Sequence, residues 1–225
     1  MVNQPGVSSH LRIPLEEYDS RIRTFVPYYE EMLEELEQLV ASLADEGSTI
    51  LDLGIGTGAL AERCLNACPK AKVIGIDADP EILEMARLRF RTHASLDLRC
   101  GSYLELELPR SDLIVASISL HHVSEPDSKK QLYARCRQAL GDKGALLMAD
   151  CFPPSLEDLA EQGMTAWRRH LEQHYTPEEA SRYLEAWSEE DTHFVLADEL
   201  EWLQQAGFRP EVAWRKDLFA VLLCI

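Results

Sequence analysis

The chain has 225 residues, which at roughly 100–200 residues per domain leaves room for one domain with a lid or for two small domains. Hydrophobic residues make up 46% and charged residues 27%, an ordinary globular composition that excludes collagen-like and broadly disordered proteins. With 39 acidic and 22 basic residues the net charge is −17, which argues against a nucleic-acid partner because neutralising phosphates supplies most of such affinity.

The N-terminal 48 residues predict a lead-in followed by a lid helix. Residues 1–14 show no periodicity, and order is expected to begin near Tyr18. From Phe25 onward, apolar residues recur at spacings of three and four, which is typical of one buried helix face. The pattern predicts a single helix ending near Gly47.

Residues 49–150 alternate between strand and helix patterns. Strands are predicted at 49–53, 73–76, 97–100, 112–118 and 144–149. Helices are predicted at 59–67, from Asp79-Pro80 to Phe90, and from Ser124 and Pro126 to Leu140, with Asp79 as an N-cap. This alternation predicts an α/β fold with an open, mostly parallel, doubly wound sheet.

After Asp150 the alternation stops. Pro153-Pro154-Ser155 predicts the start of one helix, and the capping box Thr176-Pro177-Glu178-Glu179 predicts another. Since no strand pattern separates them, residues 152–197 are interpreted as a helical lid inserted into a domain spanning 49–225, with a plain packing layer as the alternative. A helix at 198–206 and an antiparallel hairpin of 210–215 and 218–224 complete a predicted seven-stranded Rossmann-like sheet.

A glycine-rich turn follows the first strand, in the stretch Leu51-Asp52-Leu53-Gly54-Ile55-Gly56-Thr57-Gly58. Nucleotide cofactors bind at such strand–turn–helix units, where glycine permits close backbone approach. The Asp52 carboxylate would repel a pyrophosphate but attract an ammonium. Asp77 ends the second strand, where a carboxylate can accept hydrogen bonds from both ribose hydroxyls.

These stretches resemble the class I S-adenosylmethionine-dependent methyltransferases. The resemblance rests on Leu51 to Gly58, on Gly75-Ile76-Asp77-Ala78-Asp79-Pro80 and on Leu120-His121-His122-Val123, and it covers roughly residues 49–150. It implies S-adenosyl-L-methionine as cofactor. The terminal hairpin also looks like the closing strand pair of that family.

The resemblance further implies roles for individual residues. Gly54, Gly56 and Gly58 would line the methionine part of the cofactor, and Ala78 and Tyr103 would flank the adenine. Many relatives carry an Asp after the third strand, whereas here Ser102 follows Gly101, so that a serine hydroxyl would contact the adenine amino group. Ser117 and Ser119 would lie beside the transferable methyl.

The candidate catalytic residues are His121 and His122, which follow the fourth strand. A histidine near pKa 7 can deprotonate an amine, phenol or thiol acceptor. The competing interpretation is that one histidine caps the local backbone while the other packs on the sheet. Methyl transfer itself mainly needs alignment and exclusion of water, so a base is optional.

No metal site is predicted. His170 and His174 are four residues apart and would share a helix face, with Glu178 and Asp191 as further ligands, but surface histidines are the favoured interpretation. Cys64 and Cys68 have the same spacing, and buried packing is favoured there. Six cysteines without a CxxC pair predict free thiols in a reducing, cytoplasmic setting. Cys151 lacks an identifiable activating partner.

Aromatic residues are concentrated in both predicted lid segments. Tyr18, Tyr28, Tyr29 and Trp167 are the candidate substrate contacts, because an aromatic lid can bind an apolar or cationic acceptor. The sequence thus predicts a cytoplasmic methyltransferase acting on a small-molecule acceptor, without nucleic-acid or membrane partners; a homodimer is compatible with it. The rival hypotheses are carboxy-S-adenosylmethionine synthesis, suggested by Tyr18-Asp19 and Pro27-Tyr28-Tyr29, and a non-catalytic cofactor-binding subunit.

Overall fold

A computed structural model describes residues 14–93 and 96–225 of the chain. Of the predicted lead-in 1–14, residues 1–13 lie outside this described part. Within it the fold has seven strands, β1 (Thr49–Leu53), β2 (Lys72–Asp77), β3 (Leu96–Cys100), β4 (Ser111–Ser117), β5 (Leu140–Cys151), β6 (Pro210–Lys216) and β7 (Phe219–Cys224). Its eight α-helices are α1 (Tyr18–Phe25), α2 (Tyr29–Leu43), α3 (Ala59–Ala67), α4 (Pro80–Arg89), α5 (Pro126–Ala139), α6 (Glu157–Leu171), α7 (Pro177–Glu190) and α8 (Leu196–Gln205).

The strands form one sheet in the order β3-β2-β1-β4-β5-β7-β6. β1 pairs in parallel with both β2 and β4, which places Asp52 opposite Gly75 on one side and Val115 on the other. β7 runs antiparallel to β5 and to β6. The predicted doubly wound sheet with an antiparallel terminal hairpin is confirmed.

Both faces of the sheet are covered, which explains the nearly continuous apolar sequence of its central strands. Because successive side chains alternate in a strand, Ile50 packs on the face that carries α2 and α3, whereas Leu51 and Leu53 pack on the face that carries α5 and α8. All three are fully buried. Of the helices that the structure describes, none is long and apolar enough to cross a membrane.

The helix predicted from Phe25 to near Gly47 is wrong in its bounds. The chain instead forms α1 and α2, separated at Val26 to Tyr28. Val26 is extended, with φ −104° and ψ 114°, as expected of a residue before proline, and Tyr28 adopts a left-handed conformation with φ 61°. The break thus ends α1 at Phe25 and starts α2 at Tyr29.

The helix starts show which capping predictions hold. Asp79 accepts a hydrogen bond from the main-chain N–H of Glu81, and the reciprocal capping box of Thr176 and Glu179 is present, so both predictions are confirmed. The cap predicted at Pro153 to Ser155 is wrong. α6 begins later, with Leu156 at its N-cap position and no side-chain cap bond.

Candidate active site

A cavity of about 930 Å³ opens at the carboxyl ends of β1, β2, β4 and β5. Strand order reverses between β1 and β4, and this reversal is where open α/β sheets bind their ligands. The opposite wall comes from α1, α6, α7 and the segment after α7. The cavity thus lies between the sheet edge and the segments predicted to form a lid.

The glycine turn after β1 brings the backbone to the cavity. Gly54, Gly56 and Gly58 have φ values of +75°, +55° and +87°, which L side chains rarely adopt. A Cβ on Gly54 would lie 2.6 Å from the Cβ of Ser119, so the turn and the end of β4 are in close contact. Gly54 and Gly56 line the cavity, but Gly58 does not, because it packs against the Phe90 ring.

Asp52 is the most unusual polar group in the cavity. Its side chain is buried, with 1% of the residue exposed, and its Oδ2 has no hydrogen-bond partner among the described residues. Burial, together with the negative charge of Asp77, raises the pKa of Asp52 to about 8. A buried carboxyl without a partner is costly unless a ligand satisfies it, so this position suits a cationic group.

Asp77 holds the turn in shape. Its Oδ2 accepts from the main-chain N–H of Gly56 at 2.9 Å, and its Oδ1 accepts from that of Asp79 at 3.0 Å. Burial raises the pKa of Asp77, and these N–H donors oppose the rise. Asp77 and Ala78 both line the cavity, and each carboxylate oxygen keeps lone-pair capacity for a further donor.

The predicted adenine and methyl contacts, Ser102, Tyr103, Ser117 and Ser119, also line the cavity. Ser102 Oγ accepts from the main-chain N–H two residues on, at 3.2 Å, while the Tyr103 hydroxyl donates to the Ser119 carbonyl at 3.0 Å. Ser119 Oγ donates to a β1 carbonyl at 2.7 Å. Ser117 Oγ is buried without a partner among the described residues. The structure therefore brings these four positions together.

His121 is buried and held by Asp150, at the end of β5. Its Nδ1 lies 2.7 Å from Asp150 Oδ1, while Asp150 Oδ2 accepts from the main-chain N–H groups of Leu120 and His121. Burial lowers the pKa of His121, but the adjacent Asp150 carboxylate outweighs it, so the net shift is upward. Burial conversely raises the pKa of Asp150, and His121 outweighs it, so that the net shift is downward.

Asp191, after α7, approaches both candidate histidines. Its Oδ1 lies 3.1 Å from His122 Nδ1 and 3.7 Å from His121 Nε2. The His193 ring centroid lies 5.3 Å from that of His121, and burial with the neighbouring His121 lowers the pKa of His193 to about 4. A main-chain bond from Thr192 N to the His121 carbonyl, at 3.0 Å, fastens this segment to the end of β4.

Sequence reasoning did not assign Asp150 a role, and it paired Asp191 with the wrong histidines. Asp191 lies beside His121 and His122, whereas the ring of His170 lies 3.2 Å from the Arg23 carbonyl. The sequence did contain a signal for Asp150, because it places a carboxylate at the carboxyl end of an otherwise apolar strand. No comparable signal existed for Asp191, because its position depends on how α6 and α7 fold back on the sheet.

Four aromatic residues that line the cavity are termed here the aromatic wall: Phe25, Trp167, Trp187 and Phe219. The Trp167 ring lies 5.9 Å from that of Trp187 and 5.0 Å from that of Phe219, and its Nε1 donates to the Phe25 carbonyl at 2.8 Å. These contacts join α1, α6, α7 and β7. The wall therefore offers a rigid apolar surface to a ligand.

The predicted substrate contacts divide into two groups. Tyr18, Tyr29 and Trp167 line the cavity. Tyr28 does not, because the break before α2 directs it to the terminal hairpin, where its hydroxyl donates to Asp217 Oδ2 at 2.5 Å and its ring packs against Trp214. Its proposed substrate role has no support in this geometry.

Helix α1 is attached to the glycine turn through one carboxylate. Asp19 accepts from Thr57 Oγ1 at 2.6 Å and also pairs with Arg89, from α4. The Asp19 side chain is 39% exposed and that of Arg89 is 20% exposed. Through this contact the position of α1 depends on the same turn that lines the cavity.

Comparison with known proteins agrees with this geometry. A family model described as a methyltransferase domain matches residues 50–144. The chain is 27% identical over 142 residues to a carboxy-S-adenosyl-L-methionine synthase of Idiomarina loihiensis, covering 60% of this chain and 58% of that protein. It is 25% identical over 209 residues to the synthase of the same name from Campylobacter hominis, covering 92% and 89%.

The fold is also that of a solved methyltransferase. Human N-acetylserotonin methyltransferase, determined in complex with SAM, superimposes with a TM-score of 0.58 at 20% identity, covering 96% of this chain and 61% of that one. Residues 50–144 thus match a methyltransferase domain, and the fold around them is that of the class I methyltransferases. The resemblance predicted from Leu51 to Gly58 and from Gly75 to Pro80 is thereby confirmed.

The matched residues 50–144 contain Asp52, the glycine turn, Asp77 and both candidate histidines. They do not contain Asp150, Asp191 or the aromatic wall. The chain spans 58% of the length of the Idiomarina relative and 61% of the human methyltransferase.

Proposed function

We propose that this protein binds S-adenosyl-L-methionine and transfers its methyl group to a small-molecule acceptor. The observation that carries the proposal is Asp52, a buried carboxyl whose Oδ2 has no partner among the described residues, at the edge where β1 and β4 separate. A cofactor with an ammonium group satisfies that oxygen, and Asp77 stands beside it for the ribose. The residues present thus fit this cofactor.

The cofactor supplies, when bound, a methyl group activated by a sulfonium. The chain's own residues contribute alignment and the exclusion of water, which are the main requirements of an in-line displacement. The aromatic wall and the segment after α7 form part of the cavity lining. Ser117 and Ser119 place two hydroxyl oxygens on the β4 side of the same space.

The lining charges indicate the acceptor class. Eight carboxylates line the cavity, and none of its described lining residues is a lysine or arginine; the carboxylates belong to Asp52, Asp77, Asp79, Glu105, Glu125, Asp150, Glu190 and Asp191. An anionic acceptor would meet repulsion without a compensating cation. The acceptor is therefore a neutral or cationic molecule, whose apolar part packs on the aromatic wall.

His121 and His122 remain the candidate bases, with unequal access. His121 is enclosed by Asp150 and Asp191, and 7% of its side chain is exposed, so it positions neighbouring groups. His122 has 36% of its side chain exposed and can contact an acceptor directly.

The second candidate function is the synthesis of carboxy-S-adenosylmethionine, because relatives of that name align over most of the chain. Such a reaction places an additional carboxylate beside the sulfonium, and that carboxylate needs a cationic or strongly donating partner. Since no lysine or arginine is found among the described lining residues, the cavity favours methyl transfer.

Two measurements test the proposal. Calorimetry should show S-adenosylmethionine binding in the micromolar range, about −8 kcal/mol, and no preference for NAD. Screening amines, phenols and thiols for release of S-adenosylhomocysteine should then identify an acceptor. Tighter binding of NAD would contradict the cofactor assignment, and a copurifying nucleotide heavier by one carboxyl group would establish the second function instead.

A further inference from the structure

The geometry points to a metal site: we propose that His121 Nε2, His122 Nδ1 and an Asp191 carboxylate oxygen bind a divalent transition-metal ion at the cavity wall. One ligand atom from each of the three residues lies within 4.8 Å of the others. This metal site is independent of the proposed methyl transfer, because the three residues can bind an ion without S-adenosylmethionine. It also revises the prediction that the protein has no metal site.

The separations suit an ion. Asp191 Oδ1 is 3.1 Å from His122 Nδ1 and 3.7 Å from His121 Nε2. Ligand atoms bound tetrahedrally at about 2.0–2.2 Å lie about 3.3–3.6 Å apart, so these two separations differ from the tetrahedral values by a few tenths of an ångström. The separation of the two histidine nitrogens is within 4.8 Å. Two imidazoles and one carboxylate are a donor set for zinc and for ferrous iron, and they leave positions open for a ligand.

The outer contacts of His121 are those of a metal ligand. Histidines that bind metals usually donate their second ring N–H to a carboxylate, which fixes the tautomer and orients the ring. Here Asp150 Oδ1 lies 2.7 Å from Nδ1, which directs Nε2 toward Asp191. Asp150 is itself held by main-chain N–H groups. Binding the ion displaces any proton on Nε2, as at every imidazole ligand.

The ligands come from two segments that are already joined. His121 and His122 follow β4, Asp191 follows α7, and Thr192 N donates to the His121 carbonyl at 3.0 Å. The site is thus formed by the fold before an ion enters. All three residues line the cavity, so open coordination positions face the space assigned to the acceptor. An ion here would also link the segment after α7 to the sheet.

Among the residues that the structure describes, histidines elsewhere do not reproduce this arrangement. His170 and His174 have ring centroids 5.8 Å apart, and the structure describes no third ligand from a carboxylate beside them. A second candidate group of metal ligands consists of His121, Asp150 and His193. In that group the Nδ1 of His121 already has Asp150 Oδ1 as its hydrogen-bond partner. His174 is exposed and outside both groups, and it therefore provides a control histidine.

The test is calorimetric titration of the metal-stripped full chain with Zn²⁺. We expect one equivalent per chain, an affinity reduced at least about tenfold in His122→Ala and in Asp191→Asn, and an unchanged affinity in His174→Ala. Asp150→Asn should weaken binding about 10–100-fold, as expected for a positioning carboxylate. Zn²⁺ should raise the melting temperature of the wild type but not of His122→Ala, because the ion joins two segments.

Circular dichroism of each variant confirms folding before titration, and Asp191→Asn keeps nearly the same side-chain volume. Absence of stoichiometric binding, or wild-type affinity in both His122→Ala and Asp191→Asn, would overturn the proposal. S-adenosylmethionine binding is measured on the same samples. A failure of the metal site is thereby separated from a failure of the proposed function.

Discussion

Asp52 leads to a quantitative prediction about how cofactor affinity depends on pH. Burial, with the negative charge of Asp77, raises its pKa to about 8, so the free protein holds this carboxyl protonated at pH 6–7. The other titratable neighbour is the Cys64 thiol, whose pKa burial raises, with a further rise from Asp52, so it stays neutral there. Binding an ammonium requires the carboxylate, and the proton must therefore leave.

The magnitude follows from the fraction of deprotonated Asp52. That fraction is about 0.01 at pH 6 and about 0.1 at pH 7, so the affinity should rise about tenfold between them, or about 1.4 kcal/mol. The α-amino group of the ligand is charged throughout this range, since its ordinary pKa is about 7.7–8.0. Binding at pH 7 should release about one proton.

The assay is calorimetry with S-adenosylhomocysteine at pH 6 and 7, in buffers of different ionisation enthalpy that report proton release. Asp52→Asn is the matched control: it should bind more weakly at pH 7 and lose most of the pH dependence, leaving only the contribution of Asp77. An affinity that is equal at the two pH values, or higher at pH 6, would refute the reasoning.

A stability measurement on the same pair of proteins provides a second check. The pKa of this carboxyl is higher in the folded than in the unfolded protein. The folded protein therefore loses stability as the pH rises from the unfolded pKa, about 3.9, toward 8. At pH 7 this loss amounts to about 4 kcal/mol relative to a side chain that stays neutral. Asp52→Asn should therefore unfold at higher urea concentration at pH 7 than the wild type, and the difference should shrink near pH 4.

Three further predictions concern single contacts. Asp77→Ala should weaken S-adenosylmethionine binding by about 2–4 kcal/mol in calorimetry, because two ribose hydroxyls lose a charged acceptor; unchanged affinity would remove the ribose assignment. Lys129 is buried, with Nζ 3.2 Å from Glu199, so Lys129→Met should lower the free energy of unfolding in urea by about 3–5 kcal/mol, and adding Glu199→Gln should recover part of it. If the double variant is no more stable than Lys129→Met, the loss of stability does not come from an uncompensated charge on Glu199. Asp19→Ala removes the acceptor of Thr57 Oγ1. It should speed proteolysis within α1 and weaken cofactor binding about threefold to tenfold. Equal digestion rates in the variant and the wild type would show that this contact does not hold the helix.

The sequence by itself determined the order of strands and helices and the cofactor-binding edge. β1 to β5 and the terminal hairpin follow from short apolar runs that end at turns, and these patterns are local. Asp52, the glycine turn and Asp77 lie next to the strand ends that position them. The break between α1 and α2 was also readable, because Pro27 keeps Val26 out of the helical region.

Only the tertiary structure decided what surrounds the acceptor side of the cavity. His121 contacts Asp150, 29 positions further along the chain, and Asp191 follows the two helices α6 and α7. The same folding moved Tyr28 to the terminal hairpin and Gly58 behind Phe90. Periodicity determines which face of an element is buried, but it carries no information about which distant face will cover it. The proposed cofactor half of the site is therefore encoded locally, whereas the proposed acceptor half and the proposed metal ligands arise from packing.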